Sequence, residues 1–271
     1  MTARGERQLP PKDVGTIFDE DPELYDRARP GYPDALFDDL AGLAQIGPGA
    51  RDAEVGPGTG QATVTLAAGG AHVVAIEPGA GLADLLRRKV EGCSAEVLTS
   101  TFEDWRLPRT GFDTLAAFTS WHWLDPSARA AKAARALHTG GTLATVTTIH
   151  VVGGTEAFFV DVQDCYEQRD PSALAGLRLP SAGAVAPVVD EVDDCALFLS
   201  VGRRRYSRDV TPSTRACLEL LGTYSGHRAM PKEARTALLK GIGDLIDARY
   251  GGTITKRYLF ELRVTMRTGS R

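Results

Sequence analysis

The stretch AEVGPGTGQAT, residues 53–63, decides how this chain folds. Three glycines, Gly56, Gly58 and Gly60, fall within five positions, and Glu54 precedes them. Glycines between a strand and a helix let the backbone approach a ligand closely, and the helix start offers free N–H groups. A dinucleotide loop needs its third glycine one place later, where Gln61 stands. Read alone, the turn serves either a nucleotide or the packing of a helix on a strand.

Working outward, DAEV reads as the strand before the turn, and a helix is expected from about Gln61. AHVVAIE is a short apolar run ending in an acid, as a buried parallel strand does. Leu82, Leu85, Leu86 and Val90 mark an amphipathic helix. AEVLTS, FDTLAAFTS and TLATVTTIH supply three further strands, with Asp125 and Pro126 opening the helix SARAAKAARAL and TGG breaking it. Residues 48–150 thus alternate strand and helix, which predicts a doubly wound α/β sheet. On the N-terminal side, LYDRARPGYP bends between helical pieces, and Leu36, Phe37, Leu40, Leu43 and Ala44 share a helical face. Residues 1–15 read as a loose tail. After His150 the pattern changes: a helix from Thr155, an irregular Pro/Ala/Gly-rich stretch, the strand-like ALFLSVGRRRYSRDV, helices near 212–223 and 231–250, and the alternating TKRYLFELRVTMR.

Composition narrows the partners. The chain has 271 residues and a formal net charge of -4 at pH 7, so no broad basic surface for nucleic acid is expected. No apolar run is long enough to span a membrane, and the polar N-terminus has no signal-peptide core, which predicts a cytoplasmic protein. Cys93, Cys165, Cys195 and Cys217 are far apart, and no His or Cys pair has metal-motif spacing, so no metal is expected.

Glu77, ending VVAIE, lies 19 residues after Gly58. In a doubly wound sheet that places a carboxylate at the tip of the second strand, beside the turn, where it can accept hydrogen bonds from ribose hydroxyls. The plainer alternative is a solvated strand end or a helix cap. The set of acid-x-Gly-x-Gly-x-Gly, this acid, and TGGTLA resembles the class I S-adenosylmethionine-dependent methyltransferases. YDRARPGYP, STFEDW, TSWHWLDP, GGTEAFF and TYSGH resemble a bacterial small-molecule subgroup, related to the trans-aconitate and ubiquinone/menaquinone methyltransferase types. The resemblance runs from about residue 17 to the end.

It implies a Rossmann-like seven-stranded sheet of order 3-2-1-4-5-7-6 with strand 7 antiparallel, an N-terminal helical cover and a lid insertion. The implied units are residues 1–34 (tail and cofactor lid), 35–150 (cofactor core), 151–196 (substrate lid) and 197–271 (the rest of the core, with helices over the acceptor). S-adenosylmethionine is the implied cofactor and S-adenosylhomocysteine the product. Glu54, Gly56, Pro57, Gly58 and Gly60 would lie at its amino-acid end, Glu77 at the ribose, Pro78, Thr101 and Phe102 at the adenine. Tyr25, Arg29 and Thr119 complete the implied cofactor side. Many relatives carry Asp where Thr101 stands. Asp52 also departs, since an apolar residue is usual that early in the first strand; it would shorten the strand or mark a polar partner.

Methyl transfer from a sulfonium needs alignment, exclusion of water and, for a protonated acceptor, a base. In TSWHWLDP, His122 suits a base or an orienting group, and Trp121 and Trp123 offer aromatic walls, although one must pack inward if the segment is extended. The alternative is a structural His122 paired with Asp125 or a backbone carbonyl. His150, Tyr224 and His227 are further pocket candidates, while His72 and His138 read as surface positions. Arg203 and Arg205 point one way and Arg204 the other, either salt-bridged or holding an acidic acceptor. The reading is a monomeric or homodimeric methyltransferase for a small molecule, O-methylation slightly favoured. The rivals are a fold that binds the cofactor without transferring methyl, and a nicotinamide oxidoreductase.

Overall fold

A computed structural model describes residues 18–44, 46–169 and 176–269. The tail expected over residues 1–15, and residues 170–175 of the expected lid, lie outside the described residues. Early among the described residues stand two helices, α1 (Pro22–Ala28) and α2 (Asp34–Ala44), with the predicted bend between them. The Asp21 carboxylate caps α1 by accepting from the Leu24 amide at 2.8 Å. The alternating unit follows: β1 (Arg51–Val55), α3 (Thr63–Ala68), β2 (His72–Glu77), α4 (Ala80–Lys89), β3 (Ala95–Thr99), β4 (Phe112–Phe118), α5 (Arg129–Ala136) and β5 (Leu137–Gly154).

The C-terminal part comprises α6 (Glu156–Arg169), the single turn α7 (Glu191–Asp194), β6 (Phe198–Val210), α8 (Thr214–Gly222), α9 (Ser225–Arg228), α10 (Lys232–Tyr250) and β7 (Lys256–Arg267). All seven strands form one sheet of order β3-β2-β1-β4-β5-β7-β6. β1 to β5 run parallel, and β7 is antiparallel to both β5 and β6. This is the strand order, with strand 7 antiparallel, that the sequence resemblance implies.

The central strands of the sheet are buried on both faces, which is why β1, β2 and β4 read as compact apolar runs, whereas the edge strand β6 is largely exposed. Leu36, Leu40 and Leu66 pack on one face with Phe118, Val146 and Phe260. Val55, Ile76 and Leu115 pack on the other with Trp105, Trp121 and Ala133. Each Val, Leu, Ile or Phe among them contributes roughly 1.5–3 kcal/mol on burial. A separate core joins Leu238, Ile242 and Ile246 of α10 to Phe158 and Val162 of α6 and Cys217 of α8, forming a roof beyond the strand ends. Gly251, at φ 63°, stops α10.

Three local expectations are corrected. Residues 60–62 are turn and α3 begins at Thr63, because Gly60 has φ 88°, outside the helical region. β5 begins at Leu137 rather than after TGG; the glycines sit inside the strand, where its register against β4 shifts between Phe112 and Thr114. Asp52 does not shorten β1: it pairs in register with Val73 and Thr114 and is fully buried, and burial pushes its carboxyl up to about 7. Within β7 the middle polar positions are enclosed as well. Glu261, Arg263 and Thr265 are all buried.

Candidate active site

The glycine turn forms the floor of a cleft of about 2330 Å³ at the carboxyl ends of the strands. That is where open α/β sheets take ligands. The three glycines have φ between 60° and 88°, a left-handed backbone that only glycine adopts cheaply. Their surroundings differ. A Cβ on Gly60 would stand 2.4 Å from Leu86 Cδ1, and one on Gly56 would stand 2.7 Å from Ser120 Cβ, so both seat the turn on its neighbours. A Cβ on Gly58 would instead meet the Tyr25 ring at 3.2 Å, across the cleft mouth.

Glu77 locks this floor. Its Oε2 accepts from the Gly58 amide and its Oε1 from the Gly79 amide, both at 2.9 Å. Each oxygen keeps a second lone pair for a ligand. Glu54 accepts from Thr63 Oγ1 at 2.6 Å. Burial pushes both carboxyls up to about 7, against the hydrogen bonds that pull them down. Both line the cleft, with Gly56, Pro57, Gly58, Pro78 and Thr101. Thr101 Oγ1 is engaged with Asp104, donating to its carboxylate and accepting from its amide at 3.0 Å. Glu103 lines the cleft beside it. Gly60 and Phe102 do not line the cleft; Phe102 packs against Trp105 instead.

The N-terminal helix covers this floor. Arg29 stacks on Tyr25 and on Tyr224, its guanidinium carbon 4.9 Å from each ring centre, and donates to the Thr223 carbonyl at 2.9 Å. One arginine thus ties the cover to the end of α8. Tyr32 reaches Thr119 at 3.2 Å, and Thr119 reaches Thr148 at 2.8 Å. Among the described residues Thr119 alone is a non-glycine with positive φ, at 59°. That conformation costs about 1–2 kcal/mol in an L-residue, and such strain gathers at functional sites. It aims the chain from β4 into a 3₁₀ turn over Trp121–Trp123.

The turn, rather than an extended segment, sorts the tryptophans. Trp121 is buried, and its indole N–H donates to Asp190 at 3.1 Å. It lines only a smaller cavity of about 180 Å³ behind the cleft. Trp123 faces the main cleft, and His122, 4.8 Å from the Trp123 ring, borders both cavities. Asp125 spends its Oδ1 on Ser127, accepting from the amide at 2.9 Å and the hydroxyl at 2.7 Å.

At the far end of the cleft, His150, Tyr224 and His227 are brought together as expected. The His150 and Tyr224 rings lie 5.8 Å apart, and Tyr224 and His227 6.0 Å apart. His227 Nε2 meets the Tyr166 hydroxyl at 3.0 Å. Burial, then the charges of Lys256 and Arg29, hold His150 well below the usual histidine range, so it is a neutral imidazole. Its Nδ1 accepts from Lys256 Nζ at 3.2 Å, which leaves the ring proton on Nε2. Sequence reasoning missed Lys256, Tyr32 and Glu103; Tyr32 at least stood inside the RPGYP motif.

Arg203 and Arg205 do not reach the cleft. Both are ion-paired with buried Glu261, Arg203 at 3.0 Å and Arg205 at 2.5 Å, and Arg203 also pairs with Asp193. Of the two alternatives, the salt-bridged one describes them: an internal carboxylate stands where an acidic acceptor would have. Among the described residues no group of three His, Cys, Asp or Glu side chains could hold a metal ion, and no helix is long and apolar enough to cross a membrane.

Comparison with known proteins agrees with this geometry. Residues 53–145 match the family profile of a methyltransferase domain. Among solved structures, the chain is similar to a protein from Anaeromyxobacter dehalogenans assigned as a type II methyltransferase, with 23% identity and a TM-score of 0.60 over 89% of this chain and 97% of that one. The [4+2]-cyclase SpnF shares 16% identity, with a TM-score of 0.58 over 98% of this chain and all of its own. An assigned methyltransferase from Bacillus halodurans shares 16% identity, with a TM-score of 0.52 over 88% of this chain and 100% of that one. At these identities the structural likeness shows the fold. No curated protein matches the sequence. The profile match, the sheet order and the locked glycine turn identify residues 53–145 as a class I S-adenosylmethionine-dependent methyltransferase domain.

Proposed function

We propose that the chain methylates a small-molecule acceptor held between the β4 turn and the helical roof, with O-methylation slightly favoured. The single observation that carries this reading is His122, which borders the cleft one residue before Trp123 and just beyond the strained Thr119. The floor fits the cofactor: Glu77 is held by two backbone amides and still has lone pairs for two ribose hydroxyls, and a side chain at Gly58 would fill the space under Tyr25. When bound, S-adenosylmethionine supplies a methyl group already activated on a sulfonium.

The chain's own residues do the rest. Glu77 orients the ribose side, and Pro78 and Thr101 bound the adenine side. Tyr25, Phe18 and Trp123 close over the reacting end, excluding water and offering π faces to a cation; Phe18 meets Tyr25 at 5.8 Å and Trp123 at 6.0 Å between ring centres. His122 takes the proton of an acceptor hydroxyl or orients that hydroxyl for in-line displacement. The described parts of units 1–34 and 151–196 serve as the cofactor lid and the substrate lid. The protein works in the cytosol as a monomer or homodimer.

The test is incubation of the protein and methyl-labelled S-adenosylmethionine with fractionated small-molecule extract. Label in an extracted product, with matching release of S-adenosylhomocysteine, supports the reading. An extract component changed without gain of label would point to a non-transferring role instead.

A further inference from the structure

Lys256 opens β7, opposite Gly154 of β5, and lines the cleft at the end away from the glycine turn. Among the described residues no carboxylate lies within 4.0 Å of its ammonium. Its hydrogen-bond partners are neutral: it donates to His150 Nδ1 at 3.2 Å and to the Tyr224 hydroxyl at 3.4 Å, and the nearby charge, Arg29 on the Tyr224 ring, is another cation. It also sits over the rings of Tyr258 and Tyr224, at 5.0 and 5.5 Å from their centres. An ammonium has three donors, and these contacts use two. A partly desolvated cation without a counter-ion is costly, and aromatic faces offset only part of that cost.

The acids of the cleft lie elsewhere. Glu54 and Glu77 belong to the glycine turn, Glu103 stands beside Thr101 after β3, and Glu219 is paired with Arg27 and Arg215. Between β1 and β7 stand β4 and β5, so Lys256 roots three strand spacings, roughly 14 Å, from the cofactor floor. The walls around it are apolar: Ile149, Phe158, Val162, Leu220 and Ile254 all line the cleft. The basic candidates on β6, Arg203 and Arg205, are consumed by Glu261.

We propose that the acceptor is a carboxylic acid with an apolar body, its carboxylate anchored by Lys256 between His150 and Tyr224. A lone ammonium matches a monoanion, whereas phosphate recognition calls for several converging donors. The proposal rests on the methyl-transfer reading only in taking this occupant as the acceptor.

Binding of phenylacetate and octanoate is compared with that of phenylacetamide and octanamide by tryptophan fluorescence and calorimetry, with and without S-adenosylhomocysteine. The acids should bind at least about tenfold more tightly than their amides. Lys256→Met should abolish that preference and leave amide and S-adenosylhomocysteine affinities unchanged, and Lys256→Arg should restore part of it. Equal binding of acid and amide, no binding of either at about 10 mM, or a preference that survives Lys256→Met would overturn the proposal. So would a tenfold loss of S-adenosylhomocysteine affinity in Lys256→Met, which would make Lys256 a cofactor ligand. Acid preference without any S-adenosylhomocysteine binding would leave the anion site standing and sink the methyl-transfer reading.

Discussion

The Gly58 amide donates to Glu77 Oε2 at 2.9 Å, so the turn after β1 and the tip of β2 behave as one unit. The same carboxyl is raised to about 7 by burial, which couples the cofactor floor to pH. Ribose hydroxyls donate best to an ionised carboxylate, so binding should draw a proton off Glu77. S-adenosylhomocysteine affinity is expected to fall as pH drops below about 7, with proton release visible as a buffer-dependent calorimetric enthalpy. Glu77→Gln should remove most of the release and weaken binding by about 1–3 kcal/mol. Unchanged proton release in that variant would remove Glu77 from the ribose site.

The outer and middle glycines should fail differently. Gly60→Ala drives a methyl to within 2.4 Å of Leu86 and adds strain at φ 88°, so a stability loss of about 2–3 kcal/mol is expected in chemical denaturation. Gly58→Ala meets only the edge of Tyr25 at 3.2 Å. Beyond its backbone strain it should loosen the cover, showing as weaker S-adenosylhomocysteine binding and faster amide exchange in α1. Equal effects of the two on stability and binding would argue against their separate roles.

Asp52 shows the same linkage away from the site. Its carboxyl rises from 3.8 to about 7, so its contribution favours the folded state below about pH 3.8 and is lost as pH rises to about 7. Asp52→Asn should therefore raise neutral-pH stability on the order of 2 kcal/mol and flatten the fall between about pH 4 and 7. Denaturant midpoints across that range check it; an unchanged pH profile would mean that Asp52 ionises in the fold at no cost.

Glu261 holds residues of the proposed acceptor lid as well as two arginines, accepting from the Val188 amide at 2.8 Å. Removing a buried ion partner costs about 3–5 kcal/mol. Glu261→Ala should lose stability of that order and speed hydrogen exchange at Val188 and its neighbours. Exchange there that stays slow would show the lid to be held by other contacts, such as Arg263 on Asp190 at 2.6 Å.

His122→Ala should leave S-adenosylhomocysteine affinity within about twofold while turnover falls by about 10²–10⁴ if the imidazole is a base. Turnover unchanged over about pH 6 to 9 would exclude a base role.

The sheet was legible in the sequence because buried parallel strands leave compact apolar runs, such as VVAI before Glu77, and because glycine marks the turn. The fate of individual charges was not. Arg203 and Arg205 meet Glu261 only through the antiparallel register of β6 and β7, across more than fifty residues of chain. Lys256 stands beside His150 through the bulged end of the β5–β7 pairing, which no local pattern records. Trp121 and Trp123 were expected to divide between core and pocket, and the 3₁₀ turn decided which. Gly60 and Phe102 belong to the family motif, yet their side of the backbone faces the core, a distinction that packing alone makes.

The most direct measurement is calorimetric titration of the protein with S-adenosylmethionine and S-adenosylhomocysteine at neutral pH. Saturable one-site binding of both, weakened in Glu77→Gln, is the predicted result. Absence of binding by either at about 1 mM, with the protein folded by circular dichroism, would contradict it.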